Sequence, residues 1–292
     1  MRFFPGRHPA VLLLYFAVVI TTAMFLRNPV SQLCVFAGAA VLYVLIKKKR
    51  VLRDALFYAI LFIAVTITNP IFSHNGNTEV FSIAGIPFTL ESFAYGASIA
   101  VMLISVMMWC KVFNECITED KILYLFGKKT PSLALIISMS IKFIPLFIRK
   151  YKEISGIQKT MGLSLSQTRS ESIRAAIGTF TVFLSREFEN ALETATSMNA
   201  RGYGLKKKST FSVFRFTATD ISLLSVILIL SIMLFSGTAF QENEFMYYPA
   251  ITTVDFSFFA SLSYVACLAL SFLPFIIETG ENIKWRYFIS KI

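Results

Sequence analysis

The sequence predicts an all-α, polytopic membrane protein of about six transmembrane helices, with a cytoplasmic insert of long amphipathic helices. Three observations lead there. Of 292 residues, 55% are hydrophobic and 15% charged, where an average soluble domain is about 25% charged, and mean hydropathy is +0.65. Apolar runs of membrane-crossing length recur along the chain. Between them, the basic residues fall almost entirely on one set of connections.

The expected spans are residues 10–26, 30–46, 55–72, 92–110, 221–240 and 256–277. Each meets or approaches the roughly 20 apolar residues that cover a hydrocarbon core of about 30 Å. The first could pass for a secretory signal, because Arg2 and Arg7 precede it. It ends in Met24-Phe25-Leu26-Arg27, however, without the small residues a signal peptidase needs, so it is expected to remain as the first span.

Lysine and arginine near membrane ends stay on the cytoplasmic side. Two precede the first span, five lie in residues 47–53, 17 lie in residues 111–215 and three follow the last span. Arg27 alone falls on the other side, while the expected outer loops, 73–89 and 241–254, hold Glu79, Glu242 and Glu244 and no basic residue. Both termini are therefore expected in the cytoplasm. A seventh apolar run, 133–148, contains Lys142 and Pro145, and if it spanned, the twelve basic residues of 149–215 would face outward. It is expected to lie in or just beneath the inner interface. The resulting division is residues 1–112 for spans one to four, 113–219 for the insert and 220–292 for the last two spans with a cytoplasmic tail.

The insert carries most of the net charge of +11. Attraction to anionic lipid accounts for part of that. Periodicity says more: Ile173, Ile177, Phe180, Leu184, Phe188, Leu192, Ala195 and Met198 recur at steps of three or four, one stripe of a helix reaching Asn199. The stripe is expected to pack on something, with Arg174, Ser185, Glu189 and Glu193 on the wetter side. A second helix should run from Ser132 through Tyr151 to Met161. Each ends at a glycine, Gly162 or Gly202, the residue that supplies a left-handed cap. On spacing alone, Ala200-Arg201-Gly202 reads first as an ordinary helix C-terminus, its arginine complementing the helix dipole.

Residues for chemistry are scarce. The two histidines, His8 and His74, lie near opposite faces and read as solvated surface residues. Cys34, Cys110, Cys116 and Cys267 read as packing residues without metal-ligand spacing. Phe126-Gly127-Lys128-Lys129-Thr130 echoes a phosphate loop, but Ile122 stands where the motif requires glycine. Asp54, Glu91, Asp220 and Asp255 fall at span ends, where capping explains them, and none sits at the midplane where ion-coupled carriers keep a charge. No enzyme chemistry, cofactor, metal or nucleic-acid partner is expected. A secondary carrier working without an ATPase is the alternative class, and it leaves the insert unexplained.

These residues resemble the T component of energy-coupling factor transporters, the family that includes the cobalt-transport protein CbiQ. Ala200-Arg201-Gly202, preceded by residues 193–199, resembles the second of the family's two Ala-Arg-Gly signatures. Residues 138–145 resemble the segment leading to the first, and Asn69-Pro70-Ile71-Phe72 and Phe88-Thr89-Leu90-Glu91-Ser92 extend the likeness, which covers residues 11–203. The resemblance implies a non-catalytic subunit of a bacterial plasma-membrane importer for a vitamin, metal ion or other micronutrient. Its helix ends would dock two ABC ATPases and pass their closure to a small substrate-binding membrane S component. Arg201 would anchor one ATPase through a bidentate carboxylate pair, Gly202 would end the helix at the groove, and Lys206, Lys207 and Lys208 would touch lipid headgroups. Where the first signature should stand, the chain has Thr160-Met161-Gly162, keeping only the glycine. The resemblance then implies a weaker first docking end, or two unlike ATPases.

Overall fold

The computed structural model describes residues 4–47, 51–73, 76–83, 86–127, 130–162, 169–204, 214, 216–239, 245–254 and 256–290. Among these, nine helices account for nearly all of the regular structure, as an all-α membrane protein requires. They fall into two compact units: residues 1–122 with 214–292, and residues 123–213.

The first unit contains α1 (Pro9–Phe25), α2 (Pro29–Ile46), α3 (Val51–Phe72), α4 (Leu90–Cys116), α8 (Ala218–Ala239) and α9 (Phe258–Ile289). Proline stands at the first helical position of α1 and α2, where its missing N–H costs nothing. Asn28 caps α2 by accepting from the Val30 N–H at 3.0 Å. The core is aromatic at its centre. Trp109 is fully buried and meets Tyr15 and Phe16 edge to face at 6.1 and 6.2 Å. Its indole N–H donates to the Val35 carbonyl at 3.3 Å, and the Tyr15 hydroxyl donates to the Leu270 carbonyl at 3.0 Å. These bonds tie α1, α2, α4 and α9 through groups that would find no water in hydrocarbon. Close approach is set by small residues, the usual device where lipid supplies no hydrophobic force between helices. A Cβ at Gly38 would stand 2.5 Å from the Ser271 Cβ, and one at Gly96 would stand 2.9 Å from the Thr66 carbonyl.

By length and composition, six helices among the described residues can cross a membrane: α2, α3, α4, α8, α9 and, in the second unit, α6 (Pro131–Thr160). The sequence reading counts α1 and leaves out α6. α1 has 17 residues, about 25 Å of helix, because Pro9 and the Asn28-Pro29 cap fix its limits. Its Val11, Leu12, Tyr15, Phe16 and Val19 are fully buried. The apolar run 133–148 is the first part of α6, which continues through Pro145 into the basic segment beyond, matching the single helix expected from Ser132 to Met161.

The two ends of the first unit differ in charge. At one end lie Arg7, bonded to Thr219 at 2.7 Å and paired with Glu281 at 3.5 Å, and Lys121, donating to the Pro5 and Cys116 carbonyls. Lys47 pairs with Glu115 and Lys111 with Asp54 there as well. The start of the chain, the C-terminal end of α4, the start of α8 and the last turns of α9 therefore share one end. At the other, Asn28 donates to the Tyr264 hydroxyl, and Arg27 lies beside Tyr247.

Three expectations need correction. Residues 73–89 are not all loop: β1 (Glu79–Ile83) pairs antiparallel with β2 (Ile86–Thr89), with a bulge between Glu79 and Phe81. Alternating β-branched and aromatic residues around the Ala84-Gly85 pair explain the hairpin. His8 is not a solvated surface residue. It is buried, caps α1 by accepting from the Ala10 N–H, and packs its ring 4.3 Å from that of Phe216. Cys110 is exposed, whereas Cys116 and Cys267 are buried as packing residues would be. His74, Lys128, Lys129, Lys206, Lys207, Lys208, Glu242, Glu244 and Asp255 lie outside the described residues.

Candidate functional site

The second unit is built on α6 and α7 (Arg169–Ala200). Their contact is local. Phe183 is buried between Phe147 and Tyr151, meeting both edge to face at 5.6 and 5.9 Å. Ile154 is buried beside them, Lys150 pairs with Glu187 at 2.8 Å, and the Thr179 hydroxyl bonds Gln158. Moving forward from Lys150 to Gln158 on α6 means moving backward from Glu187 to Thr179 on α7, so the helices pass through the contact antiparallel. Their C-terminal ends leave it in opposite directions.

Both ends are glycine corners. At α7, the Gly202 N–H bonds the Asn199 carbonyl at 3.0 Å and the Tyr203 N–H bonds the Met198 carbonyl at 3.0 Å, the paired bonds of a Schellman cap. Gly202 has φ 85°, which a Cβ would disfavour. At α6, the Gly162 N–H bonds the Lys159 carbonyl at 3.1 Å, and Gly162 has φ 74°. The expectation that each helix ends at its glycine is met by this geometry.

The signature residues are presented outward. Ala200 and Arg201 are exposed, as are Thr160, Met161 and Gly162. Gly202 is half-buried. The Arg201 guanidinium makes no hydrogen bond or ion pair among the described residues, and Met161 is 69% exposed, unusual for a large apolar side chain. One corner thus offers an uncommitted cation and the other an apolar tip, about 40 Å apart along two rigid helices.

The apolar stripe of α7 is not what meets α6. Ile173, Ile177, Phe180, Phe188 and Leu192 are each half or more exposed. The contact is made instead by Thr179, Phe183 and Glu187, a neighbouring row at i, i+4 and i+8. Sequence reasoning missed that row because only Phe183 in it is apolar. Its signal was the complementary charge of Glu187 against Lys150, which becomes readable once the two helices are known to cross.

A multi-pass α-helical membrane protein with a charged end and two exposed, glycine-ended long helices is the class these features define. The chain belongs to the CbiQ family, described as cobalt transport protein, which it matches over residues 4–213. It is similar to proteins named energy-coupling factor transporter transmembrane protein EcfT. The relative from Staphylococcus aureus is 22% identical over 246 residues, 78% of this chain and 90% of the relative. The relative from Listeria innocua is 33% identical over 105 residues, 35% of this chain and 40% of that protein. The relative from Exiguobacterium sibiricum is 29% identical over 107 residues, 36% of this chain and 41% of that protein. The chain thus spans less than half the length of two of these three relatives and most of the third.

Proposed function

We propose that this chain is the transmembrane coupling subunit of an energy-coupling factor importer in a bacterial plasma membrane. It docks two ABC ATPases at its helix corners and transmits their closure to a small substrate-binding S component. The observation that carries this reading is the Arg201 corner: a guanidinium held outward by a Schellman cap, without an internal partner, on the last turn of a long rigid helix. A planar five-donor group of this kind suits a bidentate bond to a carboxylate in a protein groove. Two corners leaving the crossing in opposite directions suit two ATPases better than one.

The end of the first unit that gathers Arg7, Lys47, Arg53, Lys111, Lys121 and Lys284 faces the cytoplasm, since basic residues are retained on that side. The N-terminus and the last turns of α9 are then cytoplasmic. The chain contributes no catalysis, and ATP hydrolysis belongs to its partners. Cargo is selected by the S component, with a vitamin, a metal ion and another micronutrient all compatible with this chain.

Thr160-Met161-Gly162 keeps the turn of the first signature without its arginine, so the two corners offer different chemistry to their partners. Affinity purification from membranes in mild detergent tests this. Arg201→Ala is expected to release most of the bound ATPase, and Met161→Ala to release much less. Equal losses would remove the asymmetry, and no loss from Arg201→Ala would remove the docking role.

A further inference from the structure

At the charged end of the first unit, the ends of α2, α3 and α4 border an open cavity of about 290 Å³. Lys47, Arg53, Asp54, Lys111, Asn114 and Glu115 line it. Two of its cations are matched: Lys47 Nζ lies 2.5 Å from Glu115, and Lys111 Nζ lies 3.4 Å from Asp54. Lys111 is steadied further by the faces of Tyr43 and Tyr58, 5.4 and 4.8 Å from their ring centres. The remaining donors are uncommitted. Neither the Arg53 guanidinium nor the Asn114 amide makes a hydrogen bond among the described residues.

Among the described lining residues, three cations against two carboxylates leave one positive charge, which a monoanion balances. A phosphodiester has that charge, and its oxygens suit both a guanidinium fork and an amide N–H. Next to the cavity, Leu45 on α2 and Leu52, Leu56 and Phe57 on α3 are exposed, Leu52 to 88%. An apolar surface bordering an anion-binding cavity at the ends of membrane-spanning helices matches a lipid, not a free ion. Basic pockets between such helices are a recurrent form of headgroup site.

We infer that this cavity is a binding site for the phosphodiester headgroup of an anionic glycerophospholipid, held by Arg53 and Asn114 while the acyl chains lie along the apolar face of α3. The inference rests on the membrane location of these helices and not on the coupling role, so loss of ATPase docking would leave it standing.

Native mass spectrometry of the purified protein in detergent tests it, with dioleoyl phosphatidylglycerol and dioleoyl phosphatidylcholine as probes. The protein is expected to retain phosphatidylglycerol over phosphatidylcholine. Arg53→Gln should weaken phosphatidylglycerol retention about fivefold and leave phosphatidylcholine unchanged. Glu115→Gln adds a net positive charge to the cavity and should tighten phosphatidylglycerol retention, a gain that a misfolded variant would not produce. Excess inorganic phosphate should not displace the lipid. Equal retention of the two lipids, no effect of Arg53→Gln, no gain from Glu115→Gln, or displacement by phosphate would each overturn the assignment.

Discussion

Phe183→Ala should uncouple the two long helices while leaving their ends intact. The Phe183 side chain is 7% exposed and touches Phe147 and Tyr151 edge to face. An aromatic ring buries about 150 Å² or more, which at about 25 cal/mol per Å² gives roughly 4 kcal/mol as an upper bound. Exposed neighbours at a two-helix contact can close over part of the space, so the expected loss is about 3 kcal/mol. What remains is the Lys150–Glu187 pair, worth about 1 kcal/mol or less, and one neutral hydrogen bond of similar size. The contact should then open transiently. Hydrogen exchange on the intact protein reads this directly: amides in Lys150 to Gln158 and Thr179 to Glu187 should exchange about 100-fold faster, since about 1.4 kcal/mol corresponds to a factor of ten. Phe188→Ala, at a side chain 66% exposed, is the control and should change little. Unchanged exchange in both segments of Phe183→Ala would show that Phe183 does not hold the crossing.

Other perturbations give equally specific expectations. Gly38→Val should lower the thermal stability of the purified protein by about 1–3 kcal/mol, because its Cβ would collide with Ser271 across the α2–α9 contact; an unchanged melting temperature would mean the helices part freely. Gly202→Ala must hold φ near 85° with a side chain, costing about 1 kcal/mol at the corner. It should reduce ATPase retention, whereas Gly202→Asn should retain more, and a co-purification series measures both. Met161→Arg should strengthen ATPase retention by restoring a guanidinium at the first corner, and a wild-type level would argue against that corner as a docking point. Lys121 supplies a pH dependence. Burial lowers its ammonium pKa below the ordinary 10.5, so the charging penalty is fully present below the folded value and fades as pH rises towards the ordinary one. Stability relative to Lys121→Met should therefore improve for the wild type on the alkaline side, and a trend in the opposite direction would contradict the assigned cause.

Much of this was legible in the sequence wherever a physical rule acts locally. Gly162 and Gly202 announced helix ends because few other residues tolerate a left-handed corner, and both have that conformation. The uneven basic residues announced the charged end because a positional bias needs no knowledge of packing. What stayed hidden depends on contacts distant in sequence. His8 reads as a surface residue until Phe216, more than two hundred positions away, is found against its ring. The α7 stripe reads as a packing face because periodicity shows that a face is apolar without showing what covers it. Phe183, one residue from Leu184 in that stripe, points about 100° around the helix and makes the contact. The extent of α6 was legible despite Lys142 and Pro145, since one helix is expected from Ser132 to Met161 and α6 covers Pro131–Thr160. Neighbouring groups can absorb the bond that a proline removes from a helix, and α6 runs on through it.

The crossing also sets a mechanical asymmetry that parallels the chemical one. Taking its centre near residue 152 on α6 and Phe183 on α7, Gly162 lies about 15 Å beyond the centre and Gly202 about 28 Å, at 1.5 Å per residue. Helices of this length bend little over such distances, so a given displacement at a corner turns its helix through an angle inversely proportional to its arm. Motion imposed at the short α6 arm is converted into about twice the rotation produced by the same motion at the α7 arm. The arginine stands on the long arm and the apolar Met161 on the short one. The same rotation carries the long-arm corner about twice as far, so a contact there must hold over the longer travel, which suits a directional bidentate guanidinium bond. The short arm needs only to be pushed, and an exposed methionine, flexible and apolar, can bear on a groove without a fixed hydrogen-bond geometry. Moving the arginine to the short arm, by combining Met161→Arg with Arg201→Met, keeps the number of guanidinium groups constant. Under this reasoning the exchange retains ATPase but lowers ATP-driven uptake. Full uptake in the exchanged variant would show that arm length and grip are not coupled.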